Sequence, residues 1–409
     1  MLKLLVIADD FTGALDTGVQ FSNQGAKTLV STEVNIDYEN IHESIEVLVL
    51  NTETRHQTFS EAYSKVKKIV QQAQLQNIPY IYKKIDSALR GNVSAELKSL
   101  IDYGEQISIP FLPAYPEMNR ALKNGHLFIN DALVTESVFA SDPYDPVTES
   151  NVLRRLEREA NIQATLVSNN AIPENRESVL VFDADSNETL EAQLSILNDE
   201  GLLSITVGCA GFAKVLSKHL FPNRQIHSHK LKKPIVVICG SINPITQKQI
   251  EYAEHQLYPR ISLSAKQLLS IDYWESLEGQ KDIQRYLNMI DQHTLVMFET
   301  FSERTHIGIK QLKEEQSLSY EECRFRIGES LGKLSERMWT HNFDNTFLFT
   351  GGDTLFQAMN VLDITAIEPV SEISPGVVLS TIEWNSQEIQ VITKSGGFGS
   401  EKLFEEILV

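Results

Sequence analysis

Short runs of β-branched and aliphatic residues alternate with amphipathic stretches along almost the whole chain. That is the pattern of parallel sheets whose strands are joined by crossover helices. In the first half it predicts strands over residues 2–8, 47–51, 79–84, 108–112, 179–183 and 203–207, with helices such as 58–76, 93–103 and 189–198. A basic, proline-closed stretch, 228–234, precedes a fresh apolar strand at 235–239, which places a domain boundary near residue 230. The alternation then resumes with helix 246–256, strand 294–298, helix 320–340, strand 346–350 and helix 354–361, and closes on β-like runs at 377–383 and 389–393 with a short helix from Ser400. The expected fold class is α/β, with two domains that are each a mostly parallel sheet with crossover helices.

At 409 residues, two or three domains of ordinary size are expected. A hydrophobic fraction of 42% with 22% charged residues is that of a folded soluble chain. Residues 2–8 read as the first strand rather than a signal peptide, and no apolar run spans a bilayer, so the protein is expected in the cytoplasm. Cys209, Cys239 and Cys323 are widely spaced and read as packing or surface residues. The net charge of −19 argues against nucleic acid or an anionic membrane as partner. It leaves room for a small anion in a locally basic pocket, because screening confines a charge to about 8 Å.

In open α/β sheets the functional groups gather at the carboxyl ends of strands. After the first strand, Asp9 and Asp10 precede a Thr12-Gly13 helix start, where they could bind substrate hydroxyls, hold a metal or cap the helix. Gly13 and Gly18 have P-loop spacing, yet Val19 and Gln20 stand where Lys and Ser or Thr are required, which excludes a Walker A site. Arg55, at the end of 47–51, could hold a carboxylate in its planar fork, or lie on the surface. Lys83, Lys84, Ile85, Asp86, Ser87 and Arg90 crowd the end of 79–84, a basic concentration suited to an anionic substrate. In the second half Gly351, Gly352, Asp353 and Thr354 form a strand-to-helix turn that could approach phosphate, or be a tight turn capped by Asp353 or Thr354. Gly240-Ser241 and Gly396-Gly397 are further phosphate-compatible turns. None of these fits the dinucleotide G-x-G-x-x-G fingerprint, which lowers a dehydrogenase reading.

Taken in order, these motifs resemble the four-carbon acid sugar kinase family, which phosphorylates tetronates such as threonate, erythronate and 3-oxo-tetronate with ATP. The resemblance rests on the segments from Ala8 to Ala14, Thr52 to Arg55, Tyr82 to Gly91, Pro113 to Pro116, Gly240-Ser241, Gly351 to Thr354, Ser374 to Gly376 and Lys394 to Gly399, and so spans the chain. Phe11 and Ala88 depart from the residues usual in the family, Leu and Thr. The resemblance implies a sugar-acid domain over 1–228, a nucleotide domain over 233–409 and an active site in the cleft between them. It implies that Asp9, Asp10, Arg55, Lys84, Ile85, Asp86, Ser87 and Arg90 serve the acid, and that Ser241, Gly351, Gly352, Asp353, Thr354, Gly396 and Gly397 serve ATP. Mg²⁺ is expected to accompany ATP, with Asp353, then Asp86, as general base and the metal ligands unassigned. Arg55 and Lys84 are expected to pair with the substrate carboxylate. The competing reading is a non-catalytic sugar-acid sensor of the same fold; the partners are small molecules, and a homodimer is compatible.

Overall fold

The apolar runs become strands buried on both faces, as strands of a parallel sheet covered by helices must be. In the computed structural model, which describes residues 2–103, 108–142, 145–168, 171–224 and 229–408, the first run is β1 (Leu4–Ala8), buried throughout. The chain divides into two compact units, Met1–His227 and Ser228–Val409. The opening of the basic linker, up to Ser228, lies outside the described residues.

The first unit continues through α1 (Phe11–Ser22), β2 (Thr28–Ser31), β3 (Val47–Asn51), α2 (Phe59–Leu75), β4 (Tyr80–Lys84), α3 (Val93–Tyr103) and β5 (Ile109–Leu112). An excursion follows, made of β6 (Arg120–Lys123), β7 (His126–Ile129) and β8 (Ala132–Leu133), which pair antiparallel as a separate small sheet. Then come α4 (Val152–Ala160), β9 (Ala164–Val167), β10 (Val179–Phe182), α5 (Asn187–Asp199), β11 (Ile205–Gly208) and α6 (Ala210–Leu220). The main sheet runs β2-β3-β1-β4-β11-β5-β10-β9, parallel throughout. Helix α2 shows why the pattern was readable: a Thr58–Glu61 capping box starts it, and Ala62, Val66, Ile69, Val70 and Ala73 form one buried stripe.

Register matters most for the site. Ala8 stands opposite both Asn51 and Lys84, so β1, β3 and β4 end at one level and their following turns lie side by side. The chain leaves β1 toward β3 on one side and returns to β4 on the other, which makes this edge a topological switch point.

The second unit contains β12 (Ile235–Cys239), α7 (Pro244–His255), β13 (Arg260–Ser262), α8 (Ala265–Leu269), α9 (Leu277–Gln292), β14 (Leu295–Glu299), α10 (Glu303–Glu315) and α11 (Tyr320–His341). It ends with β15 (Thr346–Thr350), α12 (Gly352–Val361), β16 (Ala366–Ser374), β17 (Val377–Trp384), β18 (Gln387–Lys394) and α13 (Leu403–Leu408). The order is β13-β14-β12-β15-β18-β17-β16, parallel as far as β18 and antiparallel for the last two strands. Cys239 pairs with Thr350, and Thr350 with Lys394, so three strand ends are again level. Strand β16, absent from the pattern reading, contains Pro369 and is mostly half-exposed, so it lacks the apolar run that marks its neighbours. Cys209, Cys239 and Cys323 are all free and buried. Among the described residues no helix is long and apolar enough to cross a membrane.

Candidate functional site

In the first unit the level ends of β1, β3 and β4 assemble an ion-pair cluster. Strand alternation sends Lys83 and Lys84 to opposite faces of the sheet. Lys84 Nζ lies 3.0 Å from Asp9 Oδ1 and 3.4 Å from Asp10 Oδ1. Arg55 commits Nε and Nη2 to Asp9 Oδ2, at 2.9 and 2.7 Å, and Nη1 to Asp10 Oδ2 at 2.8 Å. Asp10 also caps α1 by accepting from the Gly13 N–H at 3.0 Å. Of the readings of the Asp pair, capping is seen for Asp10, while Asp9 is buried between two cations.

Asp86 continues the cluster. It accepts from the backbone N–H groups of Ala88 and Arg90, each at 3.1 Å, and from Arg90 Nε and Nη2, each at 3.0 Å, with Arg55 Nη2 at 3.5 Å. Arg90 Nη1 reaches Asp142 at 3.1 Å. The carboxylates of Asp9, Asp10, Asp86 and Asp142 thus face the cations of Arg55, Lys84 and Arg90, so the basic surplus suggested by the sequence around Lys84 is balanced inside the protein. Burial alone would raise the Asp9 and Asp86 carboxyls, but the adjacent Arg55, with Lys84 at Asp9 and Arg90 at Asp86, outweighs it and holds both below the usual carboxylate range. Lys84 is displaced the other way: burial opposes its charge, and Asp9 and Asp10 more than restore it.

A buried layer positions this cluster. Lys83 Nζ pairs with Glu96 at 3.0 Å, Glu96 takes the Thr54 hydroxyl, and Thr54 meets Thr52 at 2.7 Å. Asn92 donates to the carbonyls of Thr54 and Gln57, at 2.8 and 2.6 Å, and pins the loop that carries Arg55. Glu53 and Leu89 hold positive φ, 47° and 63°, on the two loops. Non-glycine residues rarely sit there, and such strain concentrates at working sites. Ile85 does not join the cluster. Strand pairing runs one residue past β4, so its N–H donates to the Gly208 carbonyl at 2.9 Å and its side chain is core. Ser87 is held by Arg120 Nη1, from the antiparallel excursion. Arg120 reaches the cluster from that excursion, and Phe139 and Asp142 from the turn that follows it, and pattern reading missed them because no charge concentration marks them locally.

In the second unit the glycine turns stack at the level ends of β12, β15 and β18. Gly351 has φ +89°, open to glycine and strained for other residues, and its N–H donates to the Lys394 carbonyl at 2.7 Å. It occupies the N-cap position of α12, and no side chain caps that helix. Neither Asp353 nor Thr354 is therefore the cap: Thr354 bonds back to the Thr350 carbonyl at 3.0 Å, and Asp353 is an exposed first-turn residue paired with Arg324. An uncapped N-terminus leaves N–H groups for an anion. The Gly396 turn abuts Ser241, whose Oγ would lie 3.0 Å from a Cβ at 396. Gly397 lies beside Asn243. Beneath these turns Lys394 is fully buried, with Nζ donating to Thr246 Oγ1 at 2.9 Å and to the carbonyls of Ser395 and Gly396 at 3.1 and 3.2 Å. Burial pulls its pKa down to about 8. No group of three or more His, Cys, Asp or Glu able to hold a metal occurs among the described residues.

Comparison with known proteins matches the two halves separately. Residues 4–216 match a sugar-binding N-terminal domain, and residues 236–404 match a nucleotide-binding C-terminal domain. The chain is 26% identical to a D-threonate kinase of Salmonella typhimurium over 98% of this chain and 96% of that one. It is 23% identical to a D-erythronate kinase of Heliobacterium modesticaldum over 98% and 95%. A solved structure of a Haemophilus influenzae protein shares the fold at a TM-score of 0.77 and 22% identity, covering 98% of both chains.

Proposed function

The chain belongs to the four-carbon acid sugar kinase family, and from that premise we propose that it transfers the γ-phosphoryl group of ATP to the terminal 4-hydroxyl of a four-carbon sugar acid such as threonate, erythronate or 3-oxo-tetronate. One contrast within the chain carries this reading: ion-paired carboxylates gather at strand ends in the sugar-binding half, and glycine turns, one of them opening the uncapped helix α12, gather at strand ends in the nucleotide-binding half.

Asp9, Asp10 and Asp86 accept hydrogen bonds from the substrate hydroxyls, and Arg55, Lys84 and Arg90 hold those carboxylates in place. Ser87 adds a further hydroxyl partner. Ser241, Gly351 to Thr354 and Gly396-Gly397 receive the phosphates, chiefly through backbone N–H groups. The substrate oxygen attacks the γ-phosphorus, the bond to the β–γ bridging oxygen breaks, ADP departs, and the hydroxyl proton passes to a carboxylate. Asp353 is the first choice for that carboxylate. Asp86 is second, because its oxygens are already hydrogen-bonded and its depressed pKa makes it a weak base.

Mg²⁺ commonly takes one or two protein carboxylates and otherwise phosphate and water oxygens. Asp353, exposed on the turn and paired with Arg324, fits that habit as the alternative to taking the proton, and would then hold the ion, which would neutralise phosphate charge. The reaction is placed in the cytoplasm, where ATP is available. The test is ATP consumption by the purified protein against threonate, erythronate and 3-oxo-tetronate, with five- and six-carbon sugar acids as controls. Turnover confined to the four-carbon acids is expected; no turnover with any of them would end the reading.

A further inference from the structure

The ion-pair cluster accounts for every cation expected to meet the substrate carboxylate. Arg55 has spent its Nε and Nη2 edge on Asp9, Lys84 lies between Asp9 and Asp10, and Arg90 has spent the same edge on Asp86. Arg120 is different. Its Nη1 donates to Ser87 Oγ, and its guanidinium rests on the Phe139 ring with 5.5 Å between the carbon and the ring centre. Arg90 lies on the same ring at 5.1 Å. Among the described residues Arg120 makes no ion pair with a carboxylate, and its Nε is buried with no hydrogen-bond partner.

The chain invests structure in keeping it there. A turn over Pro116–Met118 closes with Asn119 in the left-handed region, φ 52°. Reciprocal backbone bonds between Tyr115 and Arg120, at 2.8 and 3.1 Å, lock its base. A guanidinium is charged at every accessible pH, and a buried donor left unmade is costly, so an arginine held this way is poised for an anion. Its free Nε and Nη2 edge has the two parallel N–H groups that fit a carboxylate.

We infer that Arg120 receives the carboxylate of the sugar acid, beside Ser87, and that Arg55 and Lys84, expected from the sequence to pair with that carboxylate, instead hold the hydroxyl-binding aspartates. This rests on the kinase reading above and deepens it by naming what separates an acid from a neutral polyol.

The experiment uses the full chain with ATP, comparing threonate with threitol, in which CH₂OH replaces the carboxylate, and measures threonate binding by calorimetry without nucleotide. Arg120→Ala should raise the KM and the Kd for threonate about ten- to hundredfold, with a smaller change in kcat. Its kcat/KM for threitol, which has no carboxylate to lose, should fall by a much smaller factor, set by the release of Ser87, so the preference for the acid collapses. Arg120→Lys keeps the charge without the fork and should recover part of the loss, which also covers an alanine variant that folds poorly. An acid preference and threonate affinity unchanged in both variants would overturn the assignment. Should the wild-type protein bind threonate without phosphorylating it, the kinase reading fails while the calorimetric comparison still decides Arg120.

Discussion

The two units place their reactive turns at the same address, the level carboxyl ends of three adjacent parallel strands, and equip them in opposite ways. In the first unit the turns carry charged side chains that neutralise one another: Asp9, Asp10 and Asp86 against Arg55, Lys84 and Arg90. In the second the turns are rich in glycine, and the buried Lys394 beneath them donates to hydroxyl and carbonyl oxygens and makes no ion pair among the described residues. A small polyol offers directional hydroxyls and needs fixed acceptors, whereas a polyphosphate brings its own charge and needs donors. The strand-end cluster of the first unit is therefore neutralised from within, apart from the open edge of Arg120 beside it, whereas in the second unit the start of α12 and Lys394 have no carboxylate partner among the described residues.

The largest expected effect breaks the balanced side. Asp9→Ala leaves Arg55 and Lys84 buried with only Asp10 of the two carboxylates they share, and removing one member of a buried pair costs about 3–5 kcal/mol. Urea unfolding should show that loss; a change below about 1 kcal/mol would mean that the cluster is solvated. The same carboxylates set the acid limit. With folded pKa values of Asp9 and Asp86 below the ordinary 3.8, their stabilisation is complete above 3.8 and is lost as pH falls from there through the folded values.

Lys394 should respond with the opposite sign. Its folded pKa of about 8 lies below the ordinary 10.5, so the unfolded chain binds the proton more tightly. The cost of burying the charge is fully present below pH 8 and is relieved between 8 and 10.5, by up to about 3 kcal/mol. Lys394→Met should remove that slope, stabilise the ligand-free protein at pH 7 and weaken ATP binding. An unchanged dependence of melting on pH would show that Lys394 is not buried as a cation. Nucleotide affinity in the wild type should fall as pH rises through 8.

A smaller effect comes from Gly351→Ala, since alanine at φ +89° costs about 1–3 kcal/mol and tilts the N–H groups of the turn. ATP affinity should drop while threonate affinity is kept, each read by calorimetry. Smallest for stability is Asp353→Asn, an exposed position where a change within about 0.5 kcal/mol is expected. Its kcat should nonetheless fall about a hundredfold if the carboxylate takes the proton or holds Mg²⁺. Near-normal turnover would pass the proton to Asp86.

Much of this was legible because parallel sheets write themselves plainly. Strands over 47–51, 235–239 and 346–350 and the helix over 93–103 stand where the apolar pattern puts them, since their residues are buried by packing that periodicity reports. The pattern is silent on β16, with Pro369 and its mixed faces, and on the short antiparallel strands from Arg120 to Leu133, where turns and long-range docking decide the conformation. In the site, adjacency along the chain revealed Lys84, Asp86 and Arg90. It could not reveal that Arg55 is already occupied, that Ile85 turns into the core, or that Arg120 comes in from another sheet. Those are facts of register and docking rather than of local composition.

The buried thiols offer a built-in clock for each half. Cys209 belongs to the first unit, Cys239 and Cys323 to the second, and none is paired. Because a shielded thiol reacts only when its surroundings open, alkylation under native conditions, read peptide by peptide, times local opening separately on the two sides. ATP should slow labelling of Cys239, at the foot of the glycine turns, and threonate that of Cys209, whose Sγ donates to the carbonyls of Pro113 and Ala114. No probe needs to be introduced to follow each ligand to its own half.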